Sequence, residues 1–140
     1  SCRLRWYTGP SLSALPMCSP AELAPVFQAL LGSESVEVCG LLCFTTKMQI
    51  LAYHELSRGT LDKSCVHPRE VFKTALLANA AGIVLGHNHP SGDPTPSPDD
   101  RTLTRRLVEA GSIVGVELFD HIIVGQPNRY WSFREGGLLI

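Results

Sequence analysis

Residues 81–98 read AGIVLGHNHPSGDPTPSP, and this stretch carries the clearest signals of secondary structure in the sequence. The apolar run from Ala81 to Gly86 predicts a short buried strand. The segment from Asn88 to Pro98 contains four prolines and one glycine, which is typical of a loop. Ser97-Pro98 then supplies a helix cap and a first-turn proline. The stretch therefore predicts a strand, a loop and a helix in succession.

The flanking sequence predicts the other elements of a mixed α/β domain. Ser19-Pro20-Ala21-Glu22 carries the serine, proline and glutamate of a helix start, and His67-Pro68-Arg69-Glu70 opens a second helix. Strands are expected at 36–44 and 48–56, joined as a hairpin, and at 116–124 and 130–133. Gly111 is expected to close the third helix. The order (α)ββαβαββ favours a mixed β-sheet flanked by helices.

Composition excludes several classes of protein. The chain has 140 residues and is 44% hydrophobic, which is enough to bury one core. Lys and Arg total 12 against 13 Asp and Glu, so the chain lacks the basic excess of a typical nucleic-acid binder. No stretch offers the roughly 20 apolar residues that span a bilayer, and no signal peptide is evident. We expect a cytoplasmic protein without a membrane partner.

The N-terminal part of the chain and the cysteines carry no evident chemistry. Residues 1–18 show no periodic pattern and are interpreted as an N-terminal extension or linker, which leaves 19–140 as the domain. The cysteines form an odd set without C-x-x-C spacing, which argues against a disulfide framework and a four-thiolate zinc site. They are Cys2, Cys18, Cys39, Cys43 and Cys65. Cys39 and Cys43 are interpreted as small apolar core residues.

Two histidines at the end of the predicted strand form a candidate metal site. If His87 and His89 keep strand geometry, their side chains project from the same face, because strand side chains alternate with period two. Asp100, in the first turn of the next helix, is the natural third ligand, with Asp93 and Asp99 as rival carboxylates. Two imidazoles and one carboxylate suit a catalytic Zn²⁺ ion, one per chain.

Glu37 and Ser97 are candidate catalytic residues. Glu37 introduces an otherwise apolar predicted strand, and if that strand lies beside residues 81–87 it can act as general acid and base on a catalytic water. A surface glutamate at a strand edge is the alternative. Ser97 can stabilise an oxyanion, although a serine before a proline is also a common helix cap. Asn88, Ser91 and Asp93 line the predicted loop and are interpreted as shaping substrate access.

These residues together resemble the JAMM (MPN-positive, JAB) metalloprotease signature. The resemblance rests on Glu37 before Cys39-Gly40-Leu41-Leu42, on His87-x-His89-Pro90 and on Ser97-x-x-Asp100. The wider sequence, over about residues 19–138, is similar to the bacterial RadC family. Proteins of that family were formerly labelled as DNA-repair proteins. The additional matching stretches are Arg58-Gly59-Thr60, His67-Pro68-Arg69-Glu70, Ser91-Gly92-Asp93-Pro94 and Asp120-His121-Ile122-Ile123-Val124-Gly125.

The resemblance implies a cytidine-deaminase-like three-layer α/β sandwich with one zinc ion held by His87, His89 and Asp100. It also implies Glu37 as general acid and base and Ser97 as oxyanion support. JAMM relatives hydrolyse peptide or isopeptide bonds, often beside ubiquitin-like modifiers, so the expected partner is a peptide or protein substrate. The oligomeric state is left open.

Other functions remain as alternatives. One is a DNA-repair-associated RadC protein that processes or binds nucleic acid, against which the balanced charge counts. Another is a silent scaffold, although every ligand position is filled. A zinc nucleobase deaminase needs His-x-Glu and Pro-Cys-x-x-Cys patterns, and neither occurs. His54, His67 and His121 lack partners at ligand spacing; His67 is expected to start a helix, and Asp120-His121 to form a buried polar pair.

Overall fold

The structure, a computed structural model, describes residues 4–6, 19–59 and 66–139. Its six strands are β1 Leu4–Trp6, β2 Val38–Phe44, β3 Ile50–Arg58, β4 Gly82–Asn88, β5 Glu117–Gly125 and β6 Arg129–Ser132. Its three helices are α1 Pro20–Leu31, α2 Pro68–Leu77 and α3 Pro98–Val114. No helix within the described ranges is long and apolar enough to cross a bilayer.

The helices begin where the sequence predicts. Ser19 and Glu22 form a reciprocal capping box at the start of α1. His67 caps α2, because its Nδ1 accepts a hydrogen bond from the Arg69 N–H at 3.1 Å. The expectation that His67 starts a helix is therefore confirmed.

One mixed sheet forms the centre of the domain, in the order β1-β3-β2-β4-β5-β6. The predicted hairpin is present as the antiparallel pair β2 and β3. β4 pairs antiparallel with β2 and parallel with β5. The sequence predicts no element for residues 4–6, but they form the edge strand β1 beside β3. Three residues are too short to show alternation, so only the partner strand identifies them.

The helices cover both faces of this sheet, which makes the predicted three-layer α/β sandwich. Helix α1 packs on one face through Leu23, Val26, Phe27 and Leu31. Helices α2 and α3 share the other face, with a core that includes Val71, Phe72, Ala75 and Leu107. Cys39 and Cys43 are buried in this second core, as predicted. The other three cysteines lie outside the described residues.

The prediction that Gly111 closes α3 is wrong. The helix continues to Val114 and ends at Gly115, whose φ of 85° is the left-handed conformation that glycine adopts without strain. Gly111 has a different role, because a Cβ there would collide with the backbone oxygen of Val116. The glycine thus permits close contact between the helix and the chain that leaves it.

Candidate metal centre

The segment β4–α3–β5 brings the predicted ligands to one edge of the sheet. Because β4 and β5 are parallel, the chain must cross over between them, and α3 is that crossover. The carboxyl end of β4 and the N-terminus of α3 therefore lie at the same edge, the usual position of binding sites in such sheets. His87 is the penultimate residue of β4, and Asp100 lies in the first turn of α3.

Four side chains converge there. Glu37, His87, His89 and Asp100 each offer one ligand atom, and these atoms lie within 4.8 Å of one another. Nε2 of His87 is 3.0 Å from Nε2 of His89 and 3.4 Å from Oδ1 of Asp100. Nε2 of His89 is 3.3 Å from Oδ2 of Asp100. The sequence-predicted ligands are thus brought together, with Glu37 beside them.

His89 is oriented by the backbone around it. Its N–H donates to the carbonyl of Val124 at 3.0 Å, which ties the start of the loop to the end of β5. Its Nδ1 lies 2.9 Å from the backbone carbonyl of Asp93. Because a carbonyl oxygen only accepts, Nδ1 must carry the proton, and Nε2 faces the other three side chains. The Asp93 carboxylate points elsewhere and bonds to Thr95.

Asp100 and Ser97 form a capping box. The Ser97 N–H donates to Oδ2 of Asp100 at 2.9 Å, and the Asp100 N–H donates to Oγ of Ser97 at 3.1 Å. Ser97 is therefore a helix cap, the alternative considered for it. In this cap the Ser97 hydroxyl only accepts a hydrogen bond, so its own proton remains free to be donated to another acceptor. Asp99 is exposed and does not belong to the cluster.

Glu37 reaches the site because β2 lies antiparallel beside β4. Cys39 pairs with His87, so Glu37 lies just beyond the paired residues at the same edge. Its Oε1 is 3.6 Å from Nε2 of His87. The strands β2 and β4 are therefore neighbours, as the candidate role of Glu37 requires.

Asn88 holds the backbone segment that carries Glu37. Its side-chain oxygen accepts from the Val38 N–H at 2.6 Å, and its amide group donates to the carbonyls of Val36 at 2.9 Å and Glu34 at 3.3 Å. Asn88 is only 3% exposed. It is therefore an internal clamp, and the interpretation that it lines a substrate loop is wrong.

His121 contacts the site, a role that its sequence spacing does not predict. Its Nε2 lies 2.8 Å from Nδ1 of His87, and the ring is fully buried. Asp120 and His121 are both buried polar residues, as expected, and the Asp120 carboxylate accepts a hydrogen bond from the backbone N–H of His121 at 2.7 Å. The available signal was a histidine inside an apolar strand, since a buried ring nitrogen needs a partner.

Hydrogen bonds between Asp100 and the two histidines dominate the electrostatics of the site. Burial by itself would raise the pKa of Asp100, but hydrogen bonds with His87 and His89 outweigh it and hold that pKa far below its ordinary value. Burial also opposes a charge on His89, yet its bonds to Asp100 and to the Asp93 carbonyl raise its pKa overall. Both shifts favour a charged pair in which protonated His89 lies beside the ionised Asp100 carboxylate.

The donor set fits a zinc ion. Two imidazole nitrogens and one carboxylate are the ligands of many catalytic zinc sites, which keep a further position open. The Asp100 and His87 side chains are 7% and 3% exposed, whereas Glu37 is 31% exposed. The ligands therefore lie within the protein, and the side near Glu37 faces the solvent.

Comparison with known proteins agrees with this architecture. A family model described as a RadC-like JAB domain matches residues 17–138. A UPF0758 protein of Symbiobacterium thermophilum is 46% identical over 128 residues, 91% of this chain and 54% of that protein. A UPF0758 protein of Thermotoga maritima is 52% identical over 103 residues, 74% of this chain and 46% of that protein.

The chain spans about half the length of the curated relatives it matches. A UPF0758 protein of Methanosarcina barkeri shows the same relation, with 42% identity over 123 residues that cover 88% of this chain and 53% of that protein. The family match itself extends over nearly the whole domain. The chain therefore belongs to the RadC family and carries its RadC-like JAB domain.

Proposed function

We propose that this domain is a zinc-dependent hydrolase of JAMM type that cleaves a peptide or isopeptide bond in a protein or peptide substrate. The observation that carries the proposal is the convergence of Glu37, His87, His89 and Asp100 at the edge of the sheet. Three of these residues form a zinc ligand set. The fourth is a carboxylate on the solvent-facing side, where a general base is needed.

The roles follow from positions and exposure. His87, His89 and Asp100 would hold one zinc ion, which when bound lowers the pKa of a water molecule and polarises a carbonyl group. Glu37 takes a proton from the attacking water and returns it to the leaving nitrogen. The Ser97 hydroxyl, whose proton is not used by the helix cap, donates to the oxyanion that develops on the substrate carbonyl.

Metal analysis of the purified protein tests the first part of this proposal. We expect about one zinc per chain in wild type, and loss of zinc in His89→Ala and Asp100→Asn. Asp100→Asn keeps a side-chain oxygen for the helix cap, so a folded protein is retained. Asp99→Ala is the matched control, because it removes the adjacent exposed carboxylate. Wild type that binds no zinc when zinc is supplied contradicts the proposal.

The activity is tested with peptide and isopeptide-linked substrates. Glu37→Gln should keep its zinc and lose about 100-fold or more in hydrolysis, as expected when a general base is removed. Zinc binding with no cleavage of either substrate class, together with salt-dependent retention of duplex DNA, would favour the nucleic-acid alternative.

A further inference from the structure

The ring of His87 is held from inside the core by a chain of hydrogen bonds. His87 Nδ1 lies 2.8 Å from Nε2 of His121, and Nδ1 of His121 lies 2.7 Å from Oγ1 of Thr104. Thr104 Oγ1 is in turn 2.8 Å from the backbone carbonyl of Asp100. His121 and Thr104 are both fully buried. These hydrogen bonds therefore connect the ring of His87 to the backbone of Asp100 through the interior of the protein.

The Thr104 hydroxyl determines which atom donates in each of these hydrogen bonds. The carbonyl oxygen of Asp100 can only accept, so the single hydroxyl proton of Thr104 must lie between these two oxygens. Toward His121 the threonine oxygen can then only accept. Nδ1 of His121 must therefore carry a proton.

The same reasoning continues to His87. His121 is buried and stacks on Phe133, with ring centroids 4.6 Å apart and an interplanar angle of 8°. Neither partner of its ring nitrogens is a carboxylate, and a buried imidazolium without one is costly. His121 is accordingly neutral with its one proton on Nδ1. Its Nε2 must accept, and His87 must donate from Nδ1.

We propose that His121 and Thr104 are positioning residues that fix the proton of His87 on Nδ1, so that Nε2 is left as a lone pair facing Glu37, His89 and Asp100. The functional meaning of this arrangement rests on the proposed metal site. A ligand nitrogen that is already unprotonated and oriented binds a metal without a change of tautomer. In His89 the Asp93 carbonyl has the corresponding role, but there the acceptor is backbone.

The proton positions can be read directly in ¹⁵N-labelled, metal-free protein. Two-bond ¹H–¹⁵N correlation spectra distinguish histidine rings protonated on Nδ1 from those protonated on Nε2. In wild type we expect protons on Nδ1 and not on Nε2 in both His87 and His121. A proton on Nε2 of His87, or on both nitrogens of His121, overturns the proposal without any variant.

Variants of Thr104 test the causal link. Thr104→Val keeps the shape but removes the hydroxyl, and we expect His87 to lose its single tautomer and zinc affinity to fall about 10-fold or more. Thr104→Ser should restore both. Thr102→Val is the matched control, because Thr102 donates to the Pro98 carbonyl of the same helix at 3.2 Å and is exposed.

The outcomes separate this proposal from the proposed function. If wild type binds zinc but Thr104→Val leaves the His87 tautomer unchanged, the positioning role is wrong and the metal site stands. If wild type binds no zinc yet the expected tautomers appear and depend on Thr104, the metal proposal fails while the hydrogen-bond chain is confirmed. Zinc affinity is measured by competition with a chelator.

Discussion

The side chain of Asn88 is hydrogen-bonded to the backbone of Val38, with 2.6 Å between its Oδ1 and the Val38 nitrogen. Asn88 lies between the two proposed histidine ligands in sequence, and the alternation along β4 directs it to the other face. There it holds the segment that leads into β2 and carries Glu37. One tripeptide thus supplies two proposed metal ligands and the support for the proposed general base.

Asn88→Asp should destabilise the fold although it preserves shape. The second carboxylate oxygen would face the carbonyls of Val36 and Glu34, which lose their donor. We expect a loss of about 2 kcal/mol or more in the free energy of unfolding, measured by urea denaturation. Asn79→Asp is the control, since Asn79 is exposed at a helix end. Equal stability of the two variants would contradict the clamp.

Substitutions at Ser97 should separate its cap from its proposed catalytic role. Ser97→Gly removes the hydroxyl but remains an acceptable helix cap, at a cost of a few tenths of a kcal/mol. We expect near-normal thermal unfolding, unchanged zinc content, and hydrolysis reduced about 100-fold or more. Ser97→Thr should retain both properties. Full activity in Ser97→Gly would leave Ser97 with the capping role alone.

Gly86→Ala should be destabilised by a collision with α1. A Cβ at Gly86 would overlap the ring of Phe27, which is fully buried on that face of the sheet. The expected loss is about 1–3 kcal/mol, measured by urea denaturation. In a Phe27→Leu background the same glycine substitution should cost less, because the ring is absent. Additive effects in the double variant would show that the two positions do not interact.

Asp120 should give the stability of the domain a defined pH dependence. Burial raises its pKa in the folded state, although hydrogen bonds from Ser132, Arg134 and His121 partly oppose this. A raised folded-state pKa means that its contribution to stability is fully present below the unfolded value of about 3.9 and is lost as pH rises through the folded value.

Asp120→Asn should remove the loss of folding stability that accompanies ionisation of Asp120. Its side-chain oxygen can still accept both backbone N–H groups, and its amide can donate to the Ser132 hydroxyl oxygen. We expect wild type to lose stability relative to Asp120→Asn over the pH range above the unfolded-state value of about 3.9, measured by urea denaturation at several pH values. A constant difference between the two proteins across this range would argue against a raised pKa.

The sequence by itself determined the three helices, five of the six strands and the candidate ligand set. Helix caps such as Ser19 and Ser97, the hairpin of β2 and β3, and the His-x-His pair are local signals, readable within a few residues. The position of Asp100 follows from the same logic, since a capping residue and a possible ligand share the first turn of a helix. Such features depend on periodicity and short-range hydrogen bonds.

The tertiary structure alone decided how these parts meet. Glu37 approaches His87 only because β2 and β4 are antiparallel neighbours. The contact of His121 with His87 needs β4 and β5 side by side, and the clamp by Asn88 joins residues 50 positions apart. No local pattern encodes such pairs, because strand order and register follow from packing the helices on both faces of the sheet and from satisfying each buried polar group.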